Sequence, residues 1–423
     1  MAGCDKFRPS FPPLSESCYS EYLWSRRVSN HLPKPAATEE SSPTPRAGHT
    51  SLLELARLFL KLGTVAFGGP PAHIAMMEDE VVSRRGWLTR EQFLDFLGAA
   101  NLIPGPTSTE LAIYIGRVQA GWLGLVVAGG CFILPSAVFV TVLAGAYVKF
   151  GSLPQVTGVL YGIKPVVIAL IVQAVFKLAK SAVKSMWLAG VGTAAALAFA
   201  LGLNELAVLA LGGVLGGAAY WVRAGKKGEY VTALWTGGAA AGSALAVPFS
   251  LGSLFLVFLK IGAFLFGGGY VLIALIRSNL VARLGWITER QLLDAIAMGQ
   301  VTPGPLSTTA TFIGYLLAGV PGALTATVGI FLPAFVLVAV SGPLIPRLRQ
   351  SVSAAAFLDG LNAAALALIA VVAWQLFRAA VVDWTTLALA GLSLLLLMRY
   401  RVNSTWLVLG GAAVGAAKVW LHF

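Results

Sequence analysis

Two stretches decide how this chain is read: Asn101-Leu102-Ile103-Pro104-Gly105-Pro106-Thr107-Ser108-Thr109 and Gln300-Val301-Thr302-Pro303-Gly304-Pro305-Leu306-Ser307-Thr308. Each carries Pro-Gly-Pro followed by a Ser-Thr pair. Proline lacks an N–H and clashes with the preceding turn, and glycine weakens helix propensity, so each stretch breaks a helix. Each also adjoins long apolar sequence. Ala295–Pro346 runs 52 residues without a charge, and Val118–Val148 runs 31. A bilayer crossing takes about 20 apolar residues. Across all 423 residues, 57% are hydrophobic and 11% charged, and the mean hydropathy is +0.80. Soluble domains carry about 25% charged residues, so this chain cannot coat a water-soluble surface. The fold class is an all-α polytopic membrane protein with broken or re-entrant helices.

Working outward, the two stretches belong to a longer duplication. Phe67-Gly68-Gly69 returns 199 residues later as Phe266-Gly267-Gly268, Lys61 as Lys260, and Gly86-Trp87 as Gly285-Trp286. Between Gly86–Glu110 and Gly285–Thr309, 11 of 25 positions are identical without a gap, which chance does not produce. A one-residue deletion then pairs Ile115-Gly116 with Ile313-Gly314 and Pro135 with Pro333. Duplicated halves are a common construction of secondary transporters. The expected organisation is a first repeat over 51–228, a linker span over 229–249 and a second repeat over 250–423. Residues 1–50 are rich in Pro and Ser, mix six basic with five acidic residues and lack an apolar core. They read as a disordered cytoplasmic tail without a cleavable signal.

Loop charges orient the halves. Lys177, Lys180 and Lys184 follow the long helix of the first half, the Asn204-Glu205 turn has no basic residue, and Arg223, Lys226 and Lys227 come next. In the second half, Arg347 and Arg349 precede the matching helix, Arg378 and Asp383 follow it, and Arg399 and Arg401 come one helix later. Basic loops collect in the cytoplasm, so equivalent loops lie on opposite sides and the halves form an inverted repeat. The net charge of +12 therefore reads as topology rather than nucleic-acid binding.

Corresponding breaks in two halves are a strong sequence pointer to a transport site. Unwound backbone at membrane depth survives where protein or a wet cavity satisfies it. Proline favours the first helical position, so Pro104-Gly105-Pro106 and Pro303-Gly304-Pro305 are expected to open helices. The free N–H groups and partial positive charge of a helix start bind oxyanions. Thr107, Ser108 and Thr109, with Ser307 and Thr308 opposite, add hydroxyl donors. Asn101, Gln300, Gly68, Gly69, Gly267 and Gly268 border the same breaks. Lys61 and Lys260 recur beside the first break and are candidate counter-charges. Arg57, Arg117 and Lys164 have no cationic counterpart, and Lys164 aligns with Asn362. His73 and Glu80 are candidate proton carriers for coupling, set against the plainer reading of a helix end with solvated acids. Trp87 and Trp286 suit interface anchors. Cys4, Cys18 and Cys131, with His31, His49, His73 and His422, make neither a disulfide framework nor a metal centre. No metal, cofactor or catalytic set is expected.

The succession Phe-Gly-Gly-Pro, Glu80-Val81, Gly86-Trp87-Leu88-Thr89, Pro-Gly-Pro and Ile115-Gly116 resembles the chromate ion transporter family in its long, two-domain bacterial form. The resemblance covers roughly residues 52–423. It implies chromate export across the inner membrane and chromate resistance, with sulfate as an analogue. It also implies about 10 to 13 transmembrane segments in two oppositely oriented halves. One departure is Pro70-Pro71, where the second half has Gly269-Tyr270. The expected mechanism places a tetrahedral dianion between the halves, held by the helix starts, Ser108, Thr109, Ser307, Thr308, Lys61 and Lys260. Expected partners are a chromate- or sulfate-like oxyanion and the bilayer, with a homodimer as an allowed assembly. Other oxyanions, sulfate or molybdate, form the alternative, and a membrane enzyme is the rival class.

Overall fold

A computed structural model describes residues 50–224, 248–266, 269–341, 351–400 and 402–421. The expected tail, most of the linker span, and Gly267 and Gly268 lie outside these. The first half consists of α1 (Leu52–Val65), α2 (Pro70–Glu78) running into a π-helical turn at Asp79–Arg84, α3 (Arg90–Ala100), α4 (Thr107–Phe150), α5 (Pro154–Ala182), α6 (Met186–Ala200) and α7 (Glu205–Ala224). The second repeats it as α8 (Leu251–Ala263), α9 (Val271–Ile276) with a π turn at Arg277–Arg283, α10 (Glu289–Val301), a 3-10 turn at Leu306–Thr308, α11 (Thr309–Ser341), α12 (Val352–Ala380), α13 (Trp384–Leu395) with a π turn at Leu396–Tyr400, and α14 (Ser404–Leu421).

Local chemistry sets these boundaries in the same way twice. Ser51 caps α1 and Ser250 caps α8 through their hydroxyls. The buried stripe Leu55, Leu58, Phe59, Leu62 follows one face of α1, with helical spacing. Thr89 with Gln92, and Thr288 with Gln291, close capping boxes on α3 and α10, satisfying first-turn N–H groups that have no intrahelical partner.

Among the described residues, five helices are long and apolar enough to cross a membrane: those at Thr107–Phe150, Pro154–Ala182, Leu306–Ser341, Val352–Ala380 and Ser404–Leu421. Four shorter apolar helices accompany them. The first and third are not single rods. Ala120 and Gly121 leave helical geometry, with Gly121 at φ +65°, and Ala318 and Gly319 do the same. A Cβ on Gly116 would stand 2.2 Å from the Gly124 carbonyl, and one on Gly314 the same distance from Gly322. Residues eight apart in a continuous helix are about 12 Å apart, so each element folds back as a hairpin. Its short arm, residues 107–119 in α4, is re-entrant, and its long arm spans. The sequence expectation of a helix from 104 is corrected: Pro106 is the N-cap, with φ −76° and ψ 98°, and helix starts at Thr107. In the second half a 3-10 turn intervenes before Thr309.

The halves interlock. A Cβ on Gly162 of α5 would lie 1.9 Å from the Gly411 carbonyl of α14, and one on Gly360 of α12 would lie 2.2 Å from that of Gly212 in α7. These are the same contact in mirrored roles, since residue 162 corresponds to 360, and Gly212 and Gly411 each lie on the last helix of their half. Small residues allow such close backbone approach in membranes. The last helix of each half thus packs on the long helix of the other. Reciprocal contacts mark a two-fold, isologous interface, and the out-of-phase loop charges place its axis in the membrane plane.

Candidate functional site

The two Pro-Gly-Pro breaks meet between the halves and complete each other. The Gly105 N–H donates to the Leu265 carbonyl at 2.9 Å, and the Gly304 N–H to the Ala66 carbonyl at 2.9 Å. Ala66 and Leu265 are equivalent residues at the ends of α1 and α8, where the first breaks begin. Each half therefore satisfies the unwound backbone of the other, as membrane depth requires. Gly105 and Gly304 adopt φ of +150° and +89°, which side-chain-bearing residues rarely adopt.

The surrounding side chains are not equivalent, and this asymmetry defines the site. In the first half, His73 Nε2 faces the Ala66 carbonyl at 3.1 Å and Nδ1 faces Ser108 Oγ at 3.3 Å. A nitrogen opposite a carbonyl must carry the proton, so Nδ1 accepts from Ser108 in the neutral ring. The second half has Leu272 in place of His73, and Ser307 Oγ is buried without a partner. Conversely, Ser136 on α4 bonds Thr308 Oγ1 at 3.0 Å. Its counterpart on α11 is Ala334, and Thr109 Oγ1 is buried without a partner. Each half thus ties one hydroxyl of its Ser-Thr pair and leaves the other free. Ser108, Thr109, Ser307 and Thr308 are all at most 2% exposed. The Ser108–His73–Ala66–Gly304 chain of hydrogen bonds runs directly from one helix start to the other.

The remaining candidates fall around this centre. Asn101 ends α3 through its backbone N–H on Leu97. The Gln300 side-chain nitrogen is buried and unpartnered. Gly69 caps α2 ahead of Pro70, and Gly68 beside it has φ +105°. Lys61 is committed elsewhere: its ammonium sits 2.6 Å from Glu80 Oε1, with a half-exposed side chain. Lys260 donates to Asn279, the residue equivalent to Glu80, at 2.9 Å, and lies 3.5 Å from Glu205. The hydrogen bond from Lys61, reinforced by Arg85, holds the Glu80 carboxyl below the usual carboxylate range.

Sequence reasoning passed over several residues. Glu110 is fully buried, and neither oxygen has a partner. Asp294 of α10 receives Lys164 of α5 at 2.8 Å and the Tyr147 hydroxyl at 2.8 Å. The one-sided Lys164 is thereby neutralised across the halves. Tyr114 and Ser341 join the halves again at 2.5 Å. Ser136 carried no signal beyond the alignment of Pro135 with Pro333.

The arrangement is a pair of helix starts brought together from two inverted halves, lined by hydroxyls and holding no unpaired lysine or arginine of its own. It suits a small oxyanion bound by N–H and O–H donors. The chromate transporter family model matches residues 53–217 and again 252–416. A chromate transport protein of Cupriavidus metallidurans is 33% identical over 390 residues, covering 90% of this chain and 96% of that one. One from Pseudomonas aeruginosa is 31% identical over 405 residues, covering 92% and 95%. An uncharacterized transporter of Methanocaldococcus jannaschii is 26% identical over 385 residues, covering 88% and 95%. No solved structure matches the chain. Two repeats of the family model over most of the chain, set on two interlocked helical halves, show that this protein belongs to the chromate transporter family.

Proposed function

We propose that the protein is a secondary transporter that exports chromate across a bacterial inner membrane, conferring chromate resistance, with its N-terminal tail in the cytoplasm. The observation that carries this reading is the reciprocal joining of the two Pro-Gly-Pro breaks, with Thr109 and Ser307 hydroxyls buried and free beside them. A dianion between the breaks would meet the positive ends of two helices, each worth about half a charge. Thr109 and Ser307 would donate to it directly, while Ser108 and Thr308 keep the helix starts in place through His73 and Ser136. Lys61, half exposed, and the more covered Lys260 would act at a distance, through their positive potential. Rocking of one repeat against the other, broken and remade at the paired Gly105–Leu265 and Gly304–Ala66 bonds, would give alternating access.

Chromate, sulfate and molybdate share tetrahedral dianion geometry, so donors of this kind accept all three. Both breaks come from one chain, so a homodimer is compatible with the site without being required by it. The test is chromate uptake into everted vesicles, with sulfate and molybdate as competitors, with and without a proton gradient. Thr109→Ala and Ser307→Ala are expected to abolish most uptake, and Ser108→Ala to reduce it less. Uptake at the wild-type rate in both Thr109→Ala and Ser307→Ala would remove this site; no chromate flux in wild type would remove the function.

A further inference from the structure

Glu110 is the fourth residue of α4, directly after the Ser-Thr pair. Its Oε1 lies 2.1 Å from where a Cβ on Gly105 would stand, so the carboxyl folds back into the crook of its own Pro-Gly-Pro turn. It is 0% exposed, and both oxygens lack a hydrogen-bond partner. Its counterpart, Thr309, simply closes its own turn by donating to the Leu306 carbonyl at 2.8 Å. The carboxyl is thus a one-sided addition placed where the substrate reading puts an anion. Ionisable residues inside a membrane domain mark ion pathways and proton relays.

The neighbouring elements offer it little charge. Tyr114, one turn along the same helix, is tied to Ser341, and Arg117 stacks on Trp122. From α2, His73 has both nitrogens engaged. The charged residues of α1 (Glu54, Arg57, Lys61) and α3 (Arg90, Glu91, Asp95) are exposed. From α10, Asp294 is taken by Lys164 and Tyr147 against the long arm of α4, and α11 presents Ala334. An ionised Glu110 beside a dianion would set three negative charges against two helix starts of about half a positive charge each.

We infer that Glu110 is the proton-binding group of the oxyanion site: its carboxyl takes up one proton for each dianion that enters, and the ionised carboxylate and the dianion exclude one another. This rests on the site reading above and adds its regulation. The proton comes from the aqueous side that loads the anion and is released once the anion has left and the carboxyl is open to water, since an unpaired buried carboxyl stays protonated. A carboxyl that must be protonated gives transport that falls about tenfold per pH unit once it ionises.

The full chain is assayed in proteoliposomes with chromate at a fixed dianion concentration from mildly acidic to mildly alkaline medium. Wild type is expected to slow as pH rises, and Glu110→Gln to lose that slope. In purified protein in weak buffer at mildly alkaline pH, chromate binding is expected to draw one proton from the medium per protein molecule in wild type and none in Glu110→Gln. A wild-type pH slope retained in Glu110→Gln, or no proton uptake by wild type, overturns the inference; the second measurement needs no variant to fold. Loss of transport in Thr109→Ala and Ser307→Ala with an unaltered Glu110→Gln profile would leave the site standing and remove only Glu110. A flattened Glu110→Gln profile with unaffected hydroxyl variants would do the reverse.

Discussion

Ala334→Ser tests the asymmetry of the two helix starts by addition rather than removal. Ser136 ties Thr308 at 3.0 Å, whereas its counterpart Ala334 leaves Thr109 Oγ1 buried and unpartnered. A hydroxyl at 334 reproduces the Ser136 contact in the first half. The new hydrogen bond is expected to add about 0.5–1.5 kcal/mol to stability. It also withdraws Thr109 from the substrate. A hydrogen bond to a charged group is worth about 1.5–3 kcal/mol, which corresponds to a KM for chromate raised by about 10- to 150-fold. The assay pairs initial uptake rates in everted vesicles with thermal unfolding in detergent. A protein that melts higher but keeps its KM within about twofold would refute the role given to Thr109. Ser136→Ala is the complementary change. Thr308 retains its bond to the Pro305 carbonyl at 2.9 Å, so KM is expected to change little.

Three further outcomes follow from other contacts. Lys164→Met strands Asp294, which is 1% exposed, and is expected to cost about 3–5 kcal/mol, with Lys164→Met/Asp294→Leu recovering much of it in a denaturant titration. Gly162→Val drives a side chain into a carbonyl 1.9 Å from the ideal Cβ position; overpacking of about 1–3 kcal/mol is expected, read as a lower melting temperature or loss of folded protein in detergent. The Glu80 carboxyl is held low by Lys61 and Arg85, so its contribution is present above the unfolded value near 4.5 and disappears as pH falls through the lower folded value. With Lys61 half exposed the contribution is about 1 kcal/mol or less, and Glu80→Gln is expected to remove that acid-side dependence from melting curves.

Much of the architecture was legible because the duplication preserves residues that break helices. Pro104-Gly105-Pro106 and Pro303-Gly304-Pro305 both mark real breaks, and Ser51, Ser250, Thr89 and Thr288 cap the helices that border them. The fold-back at Gly121 and Gly319 was not legible, because a lone glycine in an apolar run looks the same inside a continuous helix. Ranking residues by their recurrence also had a cost. It drew attention to Lys61 and Lys260, whose partners Glu80 and Asn279 recur at the same offset as the lysines themselves. It passed over Glu110, Ser136 and His73's tie to Ser108, because these differ between the halves. The signal that could have found Glu110 was an acid next to a recurring motif in otherwise apolar sequence. The Gly105–Leu265 and Gly304–Ala66 bonds join residues far apart in the chain, so only tertiary structure could reveal them.

Those two backbone bonds carry a consequence for how the chain is made. While the first half emerges during synthesis, the Ala66 carbonyl already has the His73 ring as a donor, but the N–H of Gly105 waits for the Leu265 carbonyl, which has yet to be translated. An unpaired peptide group in hydrocarbon costs several kcal/mol, so the first half is a poor final product by itself. Expressed alone, it is expected to be a substrate for quality control, rescued by supplying the second half as a separate polypeptide inserted with the opposite polarity. Linking the two in one chain fixes their ratio at one to one and removes the need for that encounter.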